Sequence, residues 1–89
     1  MIMNGDEGRP LAQAMILEVV ENQLRDGDPP ETGQTYNRLI SEGHSEEDAK
    51  RLIACVVAAE IFDVLKKQEA FNPVRFAAAL NRLPELPED

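Results

Sequence analysis

One stretch of the sequence, residues 52–65 (LIACVVAAEIFDVL), constrains the fold more than any other. It is the most apolar run in a chain of 89 residues that carries 17 acidic and 9 basic side chains. The run continues for more than a dozen residues without glycine or proline, which favours a helix over a strand. On a helical wheel its apolar residues cover nearly the whole circumference, as in a helix that several neighbours surround. The sequence therefore predicts a central helix in an all-α protein.

Glu60 places a carboxylate near the middle of the most apolar arc of this helix. An isolated buried carboxylate is costly, so we expect Glu60 to be protonated, paired or hydrogen-bonded. Gln23 is a second polar residue on an apolar helix side. We predict a buried pair in which the Gln23 amide donates to Glu60, with the Tyr36 hydroxyl as a candidate third partner. Two alternatives stay open, namely that these residues form a small-ligand or metal site, or that one of them is exposed.

Start and stop signals predict four helices. Their bounds, in chain order, are residues 10–25, 29–42, 46–67 and 73–82. Pro10 and Pro29 fit first helical positions, and Asp28 is the predicted cap of the second helix. Ser45 and Asn72 are the predicted caps of the third and fourth helices, because their side chains can accept from the free N–H groups of a first helical turn.

The connections between these helices are short, about three to five residues, which predicts a small bundle of about four helices with the third helix at its centre. Gly43 is expected to end the second helix in the left-handed conformation. We predict one helical domain at residues 10–83, which is a size at which a single core is only marginally stable. A flexible N-terminus at residues 1–9 and a flexible acidic tail at residues 84–89 flank the domain.

Five short segments carry a resemblance to known proteins. They are VENQL at 20–24, DPP at 28–30, YNRL at 36–39, GH at 43–44 and AEIFDVL at 59–65. Over roughly residues 11–65 the chain resembles an uncharacterised bacterial family of small helical proteins, a domain-of-unknown-function family. The resemblance implies a helical fold and no established activity. Some relatives carry histidines near the positions of Gln13 and Leu17, and their absence here weakens the case for a metal site in the first helix.

The formal net charge of −8 disfavours several classes of partner. Nucleic-acid binding depends on Lys and Arg that neutralise phosphates, so we expect no nucleic-acid partner unless the basic residues share one face. The longest apolar run is far shorter than the ~20 residues of a membrane span, and anionic membranes repel such a chain, so we expect no membrane association. A single cysteine and no visible secretory signal predict a cytoplasmic protein.

The residues needed for catalysis or for a metal are sparse. His44 is the only histidine and sits at the entry to the third helix, while Cys55 lies within the apolar run, where we expect a buried and inert thiol. Carboxylates spaced by three residues, such as Glu60 and Asp63, are common by chance in so acidic a chain. We therefore predict no catalytic residue, no cofactor and no metal ligand, and the sequence does not favour an enzyme.

The leading functional hypothesis is a non-catalytic helical domain that acts through protein–protein contacts. The third helix is apolar nearly all round, and three short helices are expected to leave part of it uncovered. Such a patch marks an interface, with an unknown protein or with a second copy in a homodimer. The alternative is a small-ligand or metal-binding bundle with a polar site at Glu60 and Gln23.

Overall fold

Four α-helices make up most of the structure, a computed structural model that describes residues 5–87, with side chains from residue 12 onward. Their bounds are α1 Gly5–Asp26, α2 Pro30–Ser41, α3 Glu46–Lys67 and α4 Pro73–Arg82. No strand occurs between residues 5 and 87. The prediction of a four-helix all-α protein is confirmed, and the predicted bounds of the third and fourth helices agree with the structure at both ends.

The centre of the bundle is α3, which contacts each of the other three helices. Its buried side chains meet Leu39 from α2, Val20 from α1, and Phe76 and Leu80 from α4. The buried hydrophobic residues of the described chain are Val20, Leu39, Ala49, Ile53, Val56, Val57, Phe76, Leu80 and Leu83. The core is therefore almost wholly aliphatic, and the prediction of a central third helix is confirmed.

Side-chain caps explain why α3 and α4 begin where they do. The Ser45 hydroxyl accepts a hydrogen bond from the Asp48 N–H at 3.1 Å, and Asn72 Oδ1 accepts from the Arg75 N–H at 3.0 Å. Both bonds satisfy donors that a first helical turn leaves free. The last turn of α3 carries Lys66 and Lys67, which favour the negative end of the helix dipole.

The start of α2 lies one residue later than predicted. Pro29 is extended, with φ −74° and ψ 150°, and it occupies the cap position without any side-chain hydrogen bond. The reason is that Pro29 precedes Pro30, and a residue before proline is disfavoured in the helical conformation. The expected capping role of Asp28 is thus wrong.

The end of α2 agrees with the prediction for Gly43. This residue has φ +100°, its N–H donates to Ile40 O at 3.0 Å, and the His44 N–H donates to Leu39 O at 3.1 Å. These two bonds are those of a Schellman motif, in which glycine adopts the left-handed conformation at no steric cost.

The first helix is longer than predicted, because its backbone is helical from Gly5 rather than from Pro10. A proline inside a helix lacks one backbone hydrogen bond and crowds the carbonyl four residues earlier, so the sequence pattern indicated a start at Pro10 and not before it. The predicted flexibility of residues 1–9 stays a prediction, and residues 1–4 lie outside the described part.

The predicted C-terminal tail begins after Leu83, which is buried in the core. The Glu85 N–H donates to Arg82 O at 2.9 Å, so the chain makes a turn directly after α4. The predicted flexibility of residues 84–89 is otherwise untested, and residues 88–89 lie outside the described range. Between residues 5 and 87, no helix combines the length and hydrophobicity that crossing a bilayer requires.

Candidate functional site

Glu60 lies on the side of α3 that faces the core, and only 6% of its surface is exposed. Val56 and Val57, one turn earlier on the same helix, are also buried. The expectation that this carboxylate is buried and partnered is confirmed. Its partners come from α4 and from the segment that leads into α4.

Arg75 is the main partner of Glu60. Arg75 Nε donates to Glu60 Oε1 at 3.0 Å and Arg75 Nη2 donates to Glu60 Oε2 at 2.8 Å, so two parallel hydrogen bonds join the two groups. The backbone N–H of Asn72 donates to Glu60 Oε2 at 3.1 Å. Because Asn72 caps α4 and Arg75 lies in its first turn, Glu60 holds the start of α4 against α3.

These contacts determine the ionisation state of Glu60. The hydrogen bond from Arg75 lowers the pKa of Glu60, burial acts in the opposite direction, and the Asn72 N–H adds to the lowering. The net shift is downward, so Glu60 is ionised at neutral pH. With both carboxylate oxygens engaged by donors of the same chain, Glu60 joins two helices and is not set up to transfer a proton.

The structure does not join Gln23 to Glu60, and the predicted hydrogen bond between them is corrected. The Thr32 hydroxyl donates to Gln23 Oε1 at 2.8 Å, which links α1 to α2. The ion pair from Lys50 Nζ to Glu21 Oε2, at 3.1 Å, places this end of α1 beside the first turns of α3. Glu60 lies ten residues after Lys50, about 15 Å further along the helix axis.

Tyr36 belongs to a third contact. Its hydroxyl donates to Glu46 Oε1 at 3.0 Å and so joins α2 to the first residue of α3. Partial burial raises the pKa of the Tyr36 hydroxyl, and the Glu46 carboxylate raises it further. The phenol therefore remains a donor at neutral pH. The three predicted site residues thus serve three separate helix contacts rather than one site.

Arg75 is the residue that sequence reasoning missed as the partner of Glu60. The sequence feature that could have identified Arg75 is the short connection between α3 and α4, which predicts a helical hairpin. A short connection folds α4 back along α3, so the first turn of α4 must lie near the last turns of α3. Arg75 is the only basic residue in that first turn, and a buried carboxylate requires a partner of opposite charge.

A ligand or metal site at Gln23, Tyr36 and Glu60 would need their polar atoms to converge on one cavity. Tyr36 lines an open groove of about 410 Å³ between α1, α2 and α3, and neither Gln23 nor Glu60 borders that groove. Over the part of the chain with described side chains, no three His, Cys, Asp or Glu residues are grouped as metal ligands would be. The geometry therefore offers these three residues no common site.

Five of the described basic side chains on the helices form ion pairs with neighbouring carboxylates. The ion pairs among the described side chains are Arg25–Asp26, Arg38–Glu42, Lys50–Glu21, Arg51–Glu47, and Arg75 with Glu60, Asp63 and Glu69. Arg38 also donates to Leu80 O at 3.1 Å, which joins α2 to the end of α4. These pairings give no support to a basic surface for nucleic acid.

The side of α3 that points away from the other helices is polar at its start and apolar further on. Glu47 and Arg51 are exposed there and pair with each other at 2.9 Å. We call the apolar part the outer face of α3, and it consists of Cys55, Ala58, Ile61, Phe62 and Leu65. Ile61, Phe62 and Leu65 are 44%, 57% and 72% exposed. Cys55 is exposed as well, so the expectation of a buried thiol is wrong, because no other helix covers this side of α3. Because these residues are spaced by three and four, they form one continuous strip, and part of α3 is uncovered as expected.

Comparisons with known proteins return no relative: the chain matches no protein-family model, no curated protein and no solved structure. The resemblance to a bacterial family of small helical proteins stays a prediction. Among the described residues, the outer face of α3 is the main apolar surface that no other helix covers.

Proposed function

We propose that this protein is a non-catalytic, cytoplasmic helical domain of a bacterial family and that it acts through contact with another protein at the outer face of α3. The observation that carries this proposal is the strip of exposed apolar side chains. Single exposed apolar residues are normal on protein surfaces, whereas a contiguous group of them is typical of an interface. The strip lies on the central helix, so a partner there would contact the most strongly anchored element of the fold.

The three predicted site residues support the same proposal, because their side chains form hydrogen bonds within the protein. Glu60, Gln23 and Tyr36 each have a hydrogen-bond partner on another element. Among residues with described side chains, no buried side-chain nitrogen or oxygen lacks a partner. An active site or a ligand-binding site ordinarily contains some polar groups that are free to bind the substrate or ligand.

Site-specific photo-cross-linking in the native cells tests the proposal. A benzophenone amino acid replaces Ile61 on the outer face, and in a control variant it replaces Val74. Val74 is apolar and 79% exposed, and it lines a different groove with Glu31 and Ala77. We expect one defined covalent adduct from position 61, identified by mass spectrometry, and none from position 74.

A second substitution tests whether the adduct depends on the outer face of α3. Adding Phe62→Asp to the position-61 variant should abolish the adduct, because a charge in the strip opposes desolvation on binding. No adduct at position 61, or the same adducts at both positions, would overturn the proposal.

A further inference from the structure

The outer face of α3 has the spacing of a coiled-coil seam. Cys55, Ala58, Phe62 and Leu65 follow one another at intervals of three, four and three residues, which is the alternation of a and d positions in a heptad. Cys55, Phe62 and Leu65 are exposed and Ala58 is half-buried. An isolated seam of this kind is suited to another helix of similar length.

The order of side-chain sizes along the seam distinguishes the possible partners. Reading from Cys55 to Leu65, two small residues are followed by two large ones. If a second α3 lies antiparallel about a point midway between Ala58 and Phe62, each small side chain meets a large one. Facing helices fill the space between them best when large and small residues alternate across the contact.

We propose that the outer face of α3 binds a second copy of this chain, in an antiparallel two-fold pair. Cys55 of each copy packs against Leu65 of the other, and Ala58 packs against Phe62. This inference rests on the proposed function and names its partner. A two-fold interface needs a surface complementary to itself, and this register supplies it. A parallel pair would set Ala58 against Ala58 and leave a void beside the two Phe62 rings.

The charges at the ends of the seam are paired within each copy and do not decide the register. Arg51 continues the seam by one step and pairs with Glu47 of the same helix at 2.9 Å. Glu69 follows the end of α3 and lies 3.6 Å from Arg75, on the side of α4. The antiparallel arrangement therefore depends on the order of side-chain sizes along the seam.

The available area sets the expected strength. The exposed parts of the strip amount to roughly 400 Å² in each copy, about half the ~800 Å² per partner of a standard interface. The pair is therefore expected to be weak and reversible. Each copy carries a net charge of −8, so the copies repel at long range and added salt strengthens their association.

Sedimentation equilibrium from micromolar to millimolar protein measures the association. We expect a monomer–dimer equilibrium that Phe62→Asp weakens at least tenfold and that the matched control Val74→Asp leaves unchanged. Circular dichroism establishes that both variants are folded. A monomer at every concentration, or equal weakening by both variants, would overturn self-pairing. If self-pairing fails but photo-cross-linking from position 61 yields an adduct with a different protein, the proposed function is still supported.

Cysteine cross-linking tests the register separately. Leu65→Cys keeps Cys55 and brings two thiols face to face across the antiparallel pair, so a short bis-maleimide should yield a covalent dimer. The parent chain should not cross-link, because the two Cys55 thiols are about 15 Å apart along the axis in this register. The double variant Cys55→Ser, Leu65→Cys should fail for the same reason. Cross-linking of the parent chain would indicate parallel pairing and refute the register.

Discussion

Replacing Glu60 by leucine removes the acceptor of three hydrogen bonds between α3 and the start of α4. Hydrogen bonds to charged groups contribute about 1.5–3 kcal/mol each, and a donor left without a partner costs about 1–3 kcal/mol. Part of this loss is recovered, because the Arg75 side chain is 31% exposed and has Glu69 Oε1 at 3.6 Å. The apolar leucine side chain also gains about 1 kcal/mol on burial. We expect Glu60→Leu to lower the free energy of unfolding by about 2–3 kcal/mol.

The substitution Glu60→Gln separates charge from shape. The amide keeps one oxygen that can accept from Arg75 or from the Asn72 N–H, but its NH₂ group replaces an acceptor and faces donors. Because Glu60 is ionised in the fold, removal of its charge is costly, and we expect a loss of about 1–2 kcal/mol. A neutral, protonated Glu60 would make the same substitution nearly silent.

Thermal unfolding followed by circular dichroism at pH 7 measures both effects. In a domain of this size 1 kcal/mol corresponds to roughly 4–8 °C in Tm, so Glu60→Leu should lower Tm by about 10–20 °C. Glu69→Gln is the matched control, because it removes an exposed carboxylate beside the same guanidinium and should shift the free energy by less than about 0.5 kcal/mol. If Glu60→Gln melts like the parent, the ion pair has no structural role and the reasoning fails.

Two further predictions follow from the same structure. Because the pKa of Glu60 is lowered from its ordinary value of 4.5, its contribution is fully present above that pH and is lost as the pH falls through the lowered pKa. In denaturant titrations, the difference in unfolding free energy between the parent and Glu60→Gln should thus be constant from pH 6 to 8 and shrink below about pH 4.5. A difference that shrinks as the pH is raised would contradict the downward shift of the Glu60 pKa. Gly33→Ala should stabilise the protein by about 0.5–1 kcal/mol, since a Cβ there meets open space inside α2, whereas Gly43→Ala should cost about 1 kcal/mol at φ +100°. Equal effects of the two glycine substitutions on Tm would show that backbone conformation does not decide them.

Helix bounds were predictable from sequence wherever a short local motif decides them. Ser45 and Asn72 cap their helices through atoms only three residues away, and Gly43 ends α2 through its own backbone angle. The misplaced start of α2 has a local cause as well, because Pro29 is held extended by the proline that follows it. The start of α1 before Pro10 has no such local signal, since proline is disfavoured inside a helix.

The candidate site was predictable only in part. The apolar wheel of α3 indicated that Glu60 is buried and needs a partner, and also that α3 would be left partly uncovered. The identity of the partner was not predictable in the same way. Buried polar groups are normally hydrogen-bonded, and either Gln23 or Arg75 could supply the donor that Glu60 needs. A helical wheel does not show which of the other helices lies beside Glu60.

The sequence by itself determined the number of helices, the central place of α3 and the need to satisfy Glu60, because caps, turns and hydrophobic period act over a few residues. Only the tertiary structure decided that Arg75 is the partner of Glu60 and that Thr32 is the partner of Gln23. It also decided that the strip containing Phe62 and Leu65 stays exposed. These outcomes depend on how helices align along and around one another, which is set by the packing of side chains distant in the chain.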